Sequence, residues 1–417
     1  MQTVVRWLSL ILIFVVPWED TITIGSLGSL TRLMGVGVAG LWMLTVLAKG
    51  RLRRFHPFHA AVVLFVVWNV SSAFWTRDLA VTQVRIKTYV QLFLFVLILW
   101  DLFTTEVTLR AGLQAYVLGA WVLVFGTIAN YLAGVEIEQY SGGRYGATGV
   151  NANELAVFLV LALPLAWHLA VAMPADSIPH RIGRLVNLAY LPAGTFAIVL
   201  TGSRTSLFAV VPTIVYILWS FPRLKLTSRI LILAGLIAGA LVLLPYLPQS
   251  TLERLGTVGT SIASGDLGGR VNLWRMAMAE FLTHPLMGIG SGAFSSATIA
   301  GTYVHNTFLS ILAETGMIGF VLFAAMLAIV TYQALRQPKE SSRLWGCVLL
   351  VWAMAALSLT FELEKATWLF LSFIVISASL PSMRRRSEEG SACLSHMRAL
   401  SDALPNPAQS AAGPGIR

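Results

Sequence analysis

The sequence predicts an all-α polytopic membrane protein of about 12 transmembrane helices, and three observations carry that reading. Of its 417 residues, 57% are apolar and only 12% are charged, against roughly 45–50% and about 25% in a soluble domain. The mean hydropathy of +0.76 is too high for a water-soluble core, whose surface must be covered by polar side chains. The apolar residues fall in runs of roughly 20, the length that crosses about 30 Å of hydrocarbon as a helix. They do not alternate with period two, as the strands of an outer-membrane barrel would. A soluble enzyme and a disordered chain are excluded on the same grounds. The two cysteines, Cys347 and Cys393, lie in an apolar run and in the tail, so neither a disulfide framework nor a thiolate metal centre is expected.

The apolar runs lie at about 4–17, 28–48, 58–75, 83–103, 110–133, 152–173, 184–200, 204–221, 228–247, 305–333, 343–361 and 364–381. The first begins with Arg6 ahead of its apolar stretch, like a signal peptide. Pro17-Trp18-Glu19-Asp20 offers no small-residue cleavage site, so it is expected to remain as a span. With the N-terminus in the cytoplasm, 19 of the 29 Lys and Arg residues fall on the cytoplasmic side, and the carboxylates lean the opposite way. The positive-inside bias therefore places both termini in the cytoplasm. The net charge of +10 reads as a topology signal beside anionic membrane lipid, with no nucleic-acid partner. Residues 1–381 form a single transmembrane domain. Residues 382–417, rich in Ser, Ala, Gly and Pro, are expected to be a disordered cytoplasmic tail.

Two outer loops are long: 134–151, and 248–304 between spans 9 and 10. A loop of the second length is usually functional or disordered, and this one is not disordered in character. Within it, Val271, Trp274, Met278 and Phe281 recur at helical spacing and predict a short surface helix with one apolar face. Arg270 at its start and Glu280 near its end oppose the helix macrodipole, so Arg270 is expected to face a partner. A glycine-rich turn follows at 284–294, where backbone N–H groups could approach an anion. His284, just before Pro285, reads as a turn residue. His305 and Asn306 then open the tenth span at its outer end, with Glu314 about two and a half turns further in.

Four stretches on this outer face resemble the signature of the O-antigen ligase and O-antigen polymerase superfamily. They are GGRYGATGVNANELAVFLVLALPLA, VLTGSRTSLFAV, GGRVNLWRMAMAEFLTHP, and HPLMGIGSGAF followed by HNTFLSILAETGMIGFVLF. The resemblance covers about 140–333. It implies a glycosyltransferase of a bacterial inner membrane with its active site facing the periplasm. The donor would be an oligo- or polysaccharide on undecaprenyl diphosphate. The acceptor would be lipid A–core sugar for a ligase, or another lipid-linked repeat for a polymerase of O-antigen or exopolysaccharide; the sequence leaves these two open. The resemblance also implies metal-independent chemistry without a cofactor. The sequence agrees, with no DxD motif and no outer Asp/Glu cluster at ligand spacing.

Such transfer needs a base for the acceptor hydroxyl and positive charge for the departing diphosphate. Histidine suits the first, with a pKa near working pH. Arginine suits the second, because its guanidinium stays charged and grips phosphate bidentately. The candidate catalytic residues are His305 as base and Arg204, in the tight turn Thr201-Gly202-Ser203-Arg204; Glu314 and Glu154 are the next bases in line. The candidate substrate-binding residues are Arg85, Arg144, Arg270, Asn306 and Asn153. Arg85 belongs to a polar stripe, Thr82-Arg85-Thr88-Tyr89, expected to face the bundle interior. Arg144, and Asn153 in the Asn pair before span 6, follow from the resemblance. A lone His or Arg at this depth is also compatible with a surface contact to lipid headgroups. The rival class is a carrier, either a polysaccharide transporter or a lipid-linked oligosaccharide flippase. A basic glycine stretch at 48–54 resembles a carrier motif, but its Asp is missing and no repeated halves are found.

Overall fold

The computed structural model describes residues 2–22, 29–137, 143–172, 177–256, 270–298 and 301–380. The expected tail and parts of the 248–304 loop lie outside these residues. The described residues form helices and connections, with no strands. In chain order the α-helices are α1 (Gln2–Val15), α2 (Leu30–Lys49), α3 (Pro57–Ser71), α4 (Leu79–Leu102) and α5 (Glu106–Leu132). Then come α6 (Ala152–Ala172), α7 (Ile178–Leu200), α8 (Arg204–Ser220), α9 (Leu226–Leu243) and the short α10 (Gln249–Gly256). The surface helix is α11 (Arg270–Thr283), followed by α12 (Thr307–Leu335), α13 (Lys339–Ala356) and α14 (Lys365–Leu380).

Each of the twelve apolar runs falls on a helix. Among the described residues, nine helices are long and apolar enough to cross a membrane. Two more, α8 and α14, are shorter apolar helices, and α13 opens on the charged Lys339, Glu340 and Arg343. Local chemistry sets several helix starts. Asp78 caps α4 by accepting from the Ala80 and Val81 amides. Thr105 and Thr108 form a reciprocal capping box at α5. Each such cap is worth about 1 kcal/mol.

The centre of the bundle is α6, which packs against α5, α7, α8 and α13. Beyond Glu154 in its first turn and His168 near its end, it is apolar all round, so most of its length can be surrounded without burying charge. By contrast, α9 is just as apolar but leans mainly on α7 and leaves most of its surface outward. In a membrane such a surface meets lipid at little cost.

Connections alternate between the two ends of the bundle. At one end, Arg53 Nη1 donates to the Trp100 carbonyl (2.8 Å) and Nη2 to Ser379 Oγ (2.6 Å). These join the α2–α3 connection to the ends of α4 and α14. At the other end, Lys365 bonds Glu19, Tyr131 donates to the Tyr246 carbonyl, and Arg77 pairs with Glu280 (2.8 Å). The candidate site residues lie at this second end.

The tenth run departs from the continuous helix expected over 305–333. Its helix begins at Thr307 and breaks at Gly316, whose φ of 66° and ψ of −168° are not helical. The 284–294 turn repairs the break. Ile289 N donates to Ala313 O (3.0 Å) and Gly290 N to Glu314 O (2.9 Å). In return Met317 N donates to Pro285 O (2.8 Å) and Ile318 N to Leu286 O (3.3 Å). Trp68 Nε1 covers the Thr315 carbonyl (2.9 Å). An opened helix inside a bilayer needs such partners, since each unsatisfied backbone group there costs several kcal/mol.

Candidate active site

The 284–294 turn is the platform of the site, and the glycines act differently from the anion-cradling role expected of them. The Gly290 amide is used by Glu314 O, and the Ser291 amide donates to Ser72 Oγ (3.1 Å). The Gly292 amide donates to a carboxylate of the protein itself, Glu314 Oε2 (2.7 Å). Small residues are required by close approach. A Cβ on Gly290 would lie 2.2 Å from Thr76 Oγ1, and that residue's φ is 107°. Ser291 Oγ further donates to Asn69 (2.8 Å), and Thr82 Oγ1 donates to the Ser291 carbonyl (2.8 Å). The turn is thus locked to α3 and α4.

Arg85 projects from α4 into this platform and is 5% exposed. The stripe expected on α4 is buried at Thr82, Arg85 and Tyr89, while Thr88 is half-buried and bonds back to Val84. Arg85 Nη2 lies 3.7 Å from Glu314 Oε1. Removing one member of a buried pair costs about 3–5 kcal/mol. Its other terminal nitrogen, Nη1, has no hydrogen-bond partner, and the guanidinium lies 5.8 Å from the Tyr303 ring centroid.

His305 sits just outside α12 with a φ of 52°, the sole non-glycine residue of positive φ among those described. Left-handed backbone at such a residue costs on the order of 1 kcal/mol or more and often marks a functional constraint. The strain is held by the α13–α14 connection. His305 N donates to Thr360 Oγ1 (3.1 Å), Thr307 Oγ1 donates to Leu359 O (3.0 Å), and Phe361 N donates to Thr307 Oγ1 (2.8 Å). Burial and the nearby Arg270 charge hold the His305 imidazole below its ordinary pKa of 6.5. Arg270, the first residue of α11, lies near enough to His305 for its charge to disfavour the imidazolium. Glu280 at the other end of that helix is matched by Arg77.

Asn306 has a definite structural task. Its Oδ1 accepts from the Phe308 and Leu309 amides (3.0 and 3.1 Å), and its Nδ2 donates to Leu357 O (3.2 Å). These bonds cap α12 and occupy the side chain that was expected to contact substrate. The apolar face of α11 is also displaced from its expected position. Ala277 is its buried centre, with Trp274 packed alongside Ile289, Phe294 and Val304, whereas Met278 is 39% exposed.

A second group forms around the α7–α8 turn. Arg144 is buried, and its Nε donates to the Thr201 carbonyl (2.7 Å) while Nη2 donates to Asn153 Oδ1 (2.9 Å). Arg144 and Asn153 thus clamp the 143–151 connection onto the turn that presents Arg204. Arg204 begins α8 and is half-buried. Beside this group lies a polar cavity of about 490 Å³, lined by Asp20, Asn130, Thr148, Asn151 and Glu154 among others.

Sequence reasoning missed Glu362, which lies in the α13–α14 connection and is 1% exposed. Its backbone carbonyl accepts from Trp368 Nε1 (2.8 Å), and its Oε2 has no hydrogen-bond partner. Burial lifts its pKa to about 7 against the opposing attraction of Arg85. A signal was available, because Glu362 sits in the gap between two apolar runs and Glu364 and Lys365 open the second of them. Among the described residues no group of His, Cys, Asp and Glu is arranged to hold a metal ion.

Fold and site together define a multi-pass helical membrane protein with its buried polar machinery gathered at one end. Residues 189–324 match the family model for O-antigen ligase, bearing out the resemblance over that segment. The matched segment contains Arg204, Arg270, His305, Asn306 and Glu314 and supports a role in glycan ligation or polymerisation. No curated protein matches the chain.

Proposed function

We propose that this protein is a glycosyltransferase of a bacterial inner membrane that works at the periplasmic face. It moves an oligo- or polysaccharide from undecaprenyl diphosphate to a glycan acceptor, as an O-antigen ligase or as a polymerase. One observation carries the reading: the family-matched segment sets a strained His305 within reach of the Arg270 charge at the bundle end that also presents Arg204. On this reading twelve helices cross the membrane with both termini cytoplasmic. The Arg53 end faces the cytoplasm, and the His305 end faces the periplasm.

The acceptor hydroxyl oxygen attacks the anomeric carbon of the donor glycan. The bond from that carbon to the phosphate oxygen breaks, and undecaprenyl diphosphate departs with the electron pair. The hydroxyl proton passes to the His305 imidazole. Arg204 and Arg270 each begin a helix, so their charge adds to the positive end of the dipole and suits the departing diphosphate. Stabilising that developing charge is the largest expected catalytic term. Arg144 and Asn153 fix the Arg204 turn, and Asn306 fixes the backbone that carries His305. The polar cavity offers donors and acceptors to sugar hydroxyls. An apolar groove of about 310 Å³ between α7, α8 and α9 suits a polyprenyl chain. No metal is assigned to any step.

Deleting the gene from its own bacterium tests this. Undecaprenyl-diphosphate-linked glycan should accumulate while the transferred glycan disappears. Restoring the chain as Arg204→Ala should leave transfer down by about tenfold or more, and Arg204→Lys should restore only part, because a point charge cannot replace the bidentate fork. A deletion strain with unaltered lipid-linked and transferred glycan would overturn the proposal.

A further inference from the structure

Arg85 was expected to hold the donor diphosphate, but its surroundings suit a different ligand. Glu314 pairs with it at 3.7 Å, and Glu362 lies close enough to attract it. Two carboxylates beside one guanidinium leave no surplus positive charge, and a diphosphate brought there would meet repulsion as well as attraction. Two atoms of this cluster are nonetheless unsatisfied. Arg85 Nη1 and Glu362 Oε2 are both buried, and neither bonds the other or any other protein group. Their residues are 5% and 1% exposed. Buried polar atoms of a native protein are normally paired, and leaving one unpaired costs about 1–3 kcal/mol.

The geometry points to a clamp for a single hydroxyl group of the glycan acceptor, with Arg85 Nη1 donating to the hydroxyl oxygen and Glu362 Oε2 accepting its hydrogen. This inference rests on the glycan-transfer reading and deepens it. The two atoms demand a group that accepts and donates at once, which a sugar hydroxyl does and a phosphate oxygen without its proton does not. Tyr303, in the segment before His305, is half-exposed, with its ring centroid 5.8 Å from the Arg85 guanidinium. That ring offers a flat apolar face to a sugar. Glu362 is two residues from Thr360, which holds the His305 amide. One short connection therefore positions both the clamp and the imidazole that takes the proton of the attacking hydroxyl.

The test is steady-state kinetics of the full chain in nanodiscs. The probes are the lipid-linked donor and the glycan acceptor extracted from the bacterium that carries the gene. Glu362→Leu should raise the acceptor KM by about tenfold or more, well beyond any change in donor KM. Glu362→Gln keeps an accepting oxygen and the side-chain shape, so it should raise acceptor KM less. If Glu362→Leu folds poorly, the isosteric Gln variant still decides, because a purely structural role would not single out the acceptor KM. An acceptor KM within about twofold of the parent in both variants, or a donor KM that rises in step with it, overturns the clamp. A parent protein that transfers nothing overturns the transfer reading, and the clamp falls with it.

Discussion

His305→Asn is expected to lower the rate of glycan transfer by about 10²–10⁴ while leaving the lipid-linked donor bound, the range lost with a true general base. Asparagine is the informative replacement because it tolerates left-handed backbone. The φ of 52° at this position can then persist, and the imidazole alone is removed. Alanine would add backbone strain to the loss of the base. The same residue sets the acid side of the pH profile. A base acts in its neutral form, and a depressed pKa keeps His305 neutral to lower pH. The rate should therefore fall only as pH drops below 6.5, the ordinary value from which burial and Arg270 have lowered it. Arg270→Gln removes one of those two causes and should move this midpoint upward. Transfer by His305→Asn at the parent rate, measured on purified protein, would make His305 a turn residue. Glu314 is poorly placed to replace it, being committed to Arg85 and the Gly292 amide.

Gly316→Ala should destabilise the protein by about 3 kcal/mol or more, and two separate terms lead there. The backbone at φ 66° and ψ −168° lies in a region essentially restricted to glycine, at a cost of roughly 1–3 kcal/mol for any other residue. The added Cβ would also lie 2.3 Å from the Leu286 carbonyl oxygen, and overpacking of that kind adds about 1–3 kcal/mol. Relief by separating α12 from the 284–294 turn would strand the carbonyls of Ala313 and Glu314, which accept from that turn. A thermal melt followed by circular dichroism in detergent should show a clearly lower midpoint. An unchanged midpoint would mean that the break in α12 is not held as described.

Helix positions were legible because apolar runs of spanning length have no other solution in a membrane. The buried stripe of Thr82, Arg85 and Tyr89 was legible for a related reason, as polar groups at i, i+3 and i+4 spacing avoid lipid. Which helix lies at the centre was not, since α6 and α9 are almost equally apolar and only packing distinguishes them. The break at Gly316 was also hidden. A glycine within an apolar run is tolerated in a continuous helix at a cost of about 1 kcal/mol, and only the distant 285–290 backbone reveals that it does otherwise. The residues of the signature motifs were found, but several of their tasks were not. Arg144 and Asn153 bond each other and brace a turn, and Asn306 caps a helix. The Arg144 bond to the Thr201 carbonyl joins segments that no local spacing encodes, whereas the Asn306 cap is local and was readable from an Asn just before a helix. Glu362 was missed because it fell in a gap of two residues between runs, where the charge cluster itself was the available clue.

The most direct test of glycan transfer uses the purified chain in nanodiscs with radiolabelled glycan on undecaprenyl diphosphate, its acceptor, and EDTA. The label should move to the acceptor with release of undecaprenyl diphosphate, and the His305→Asn protein should leave it on the carrier. Label that remains on the carrier with the parent protein, or that moves only when Mg²⁺ or Mn²⁺ is restored, would contradict a metal-independent transferase centred on His305.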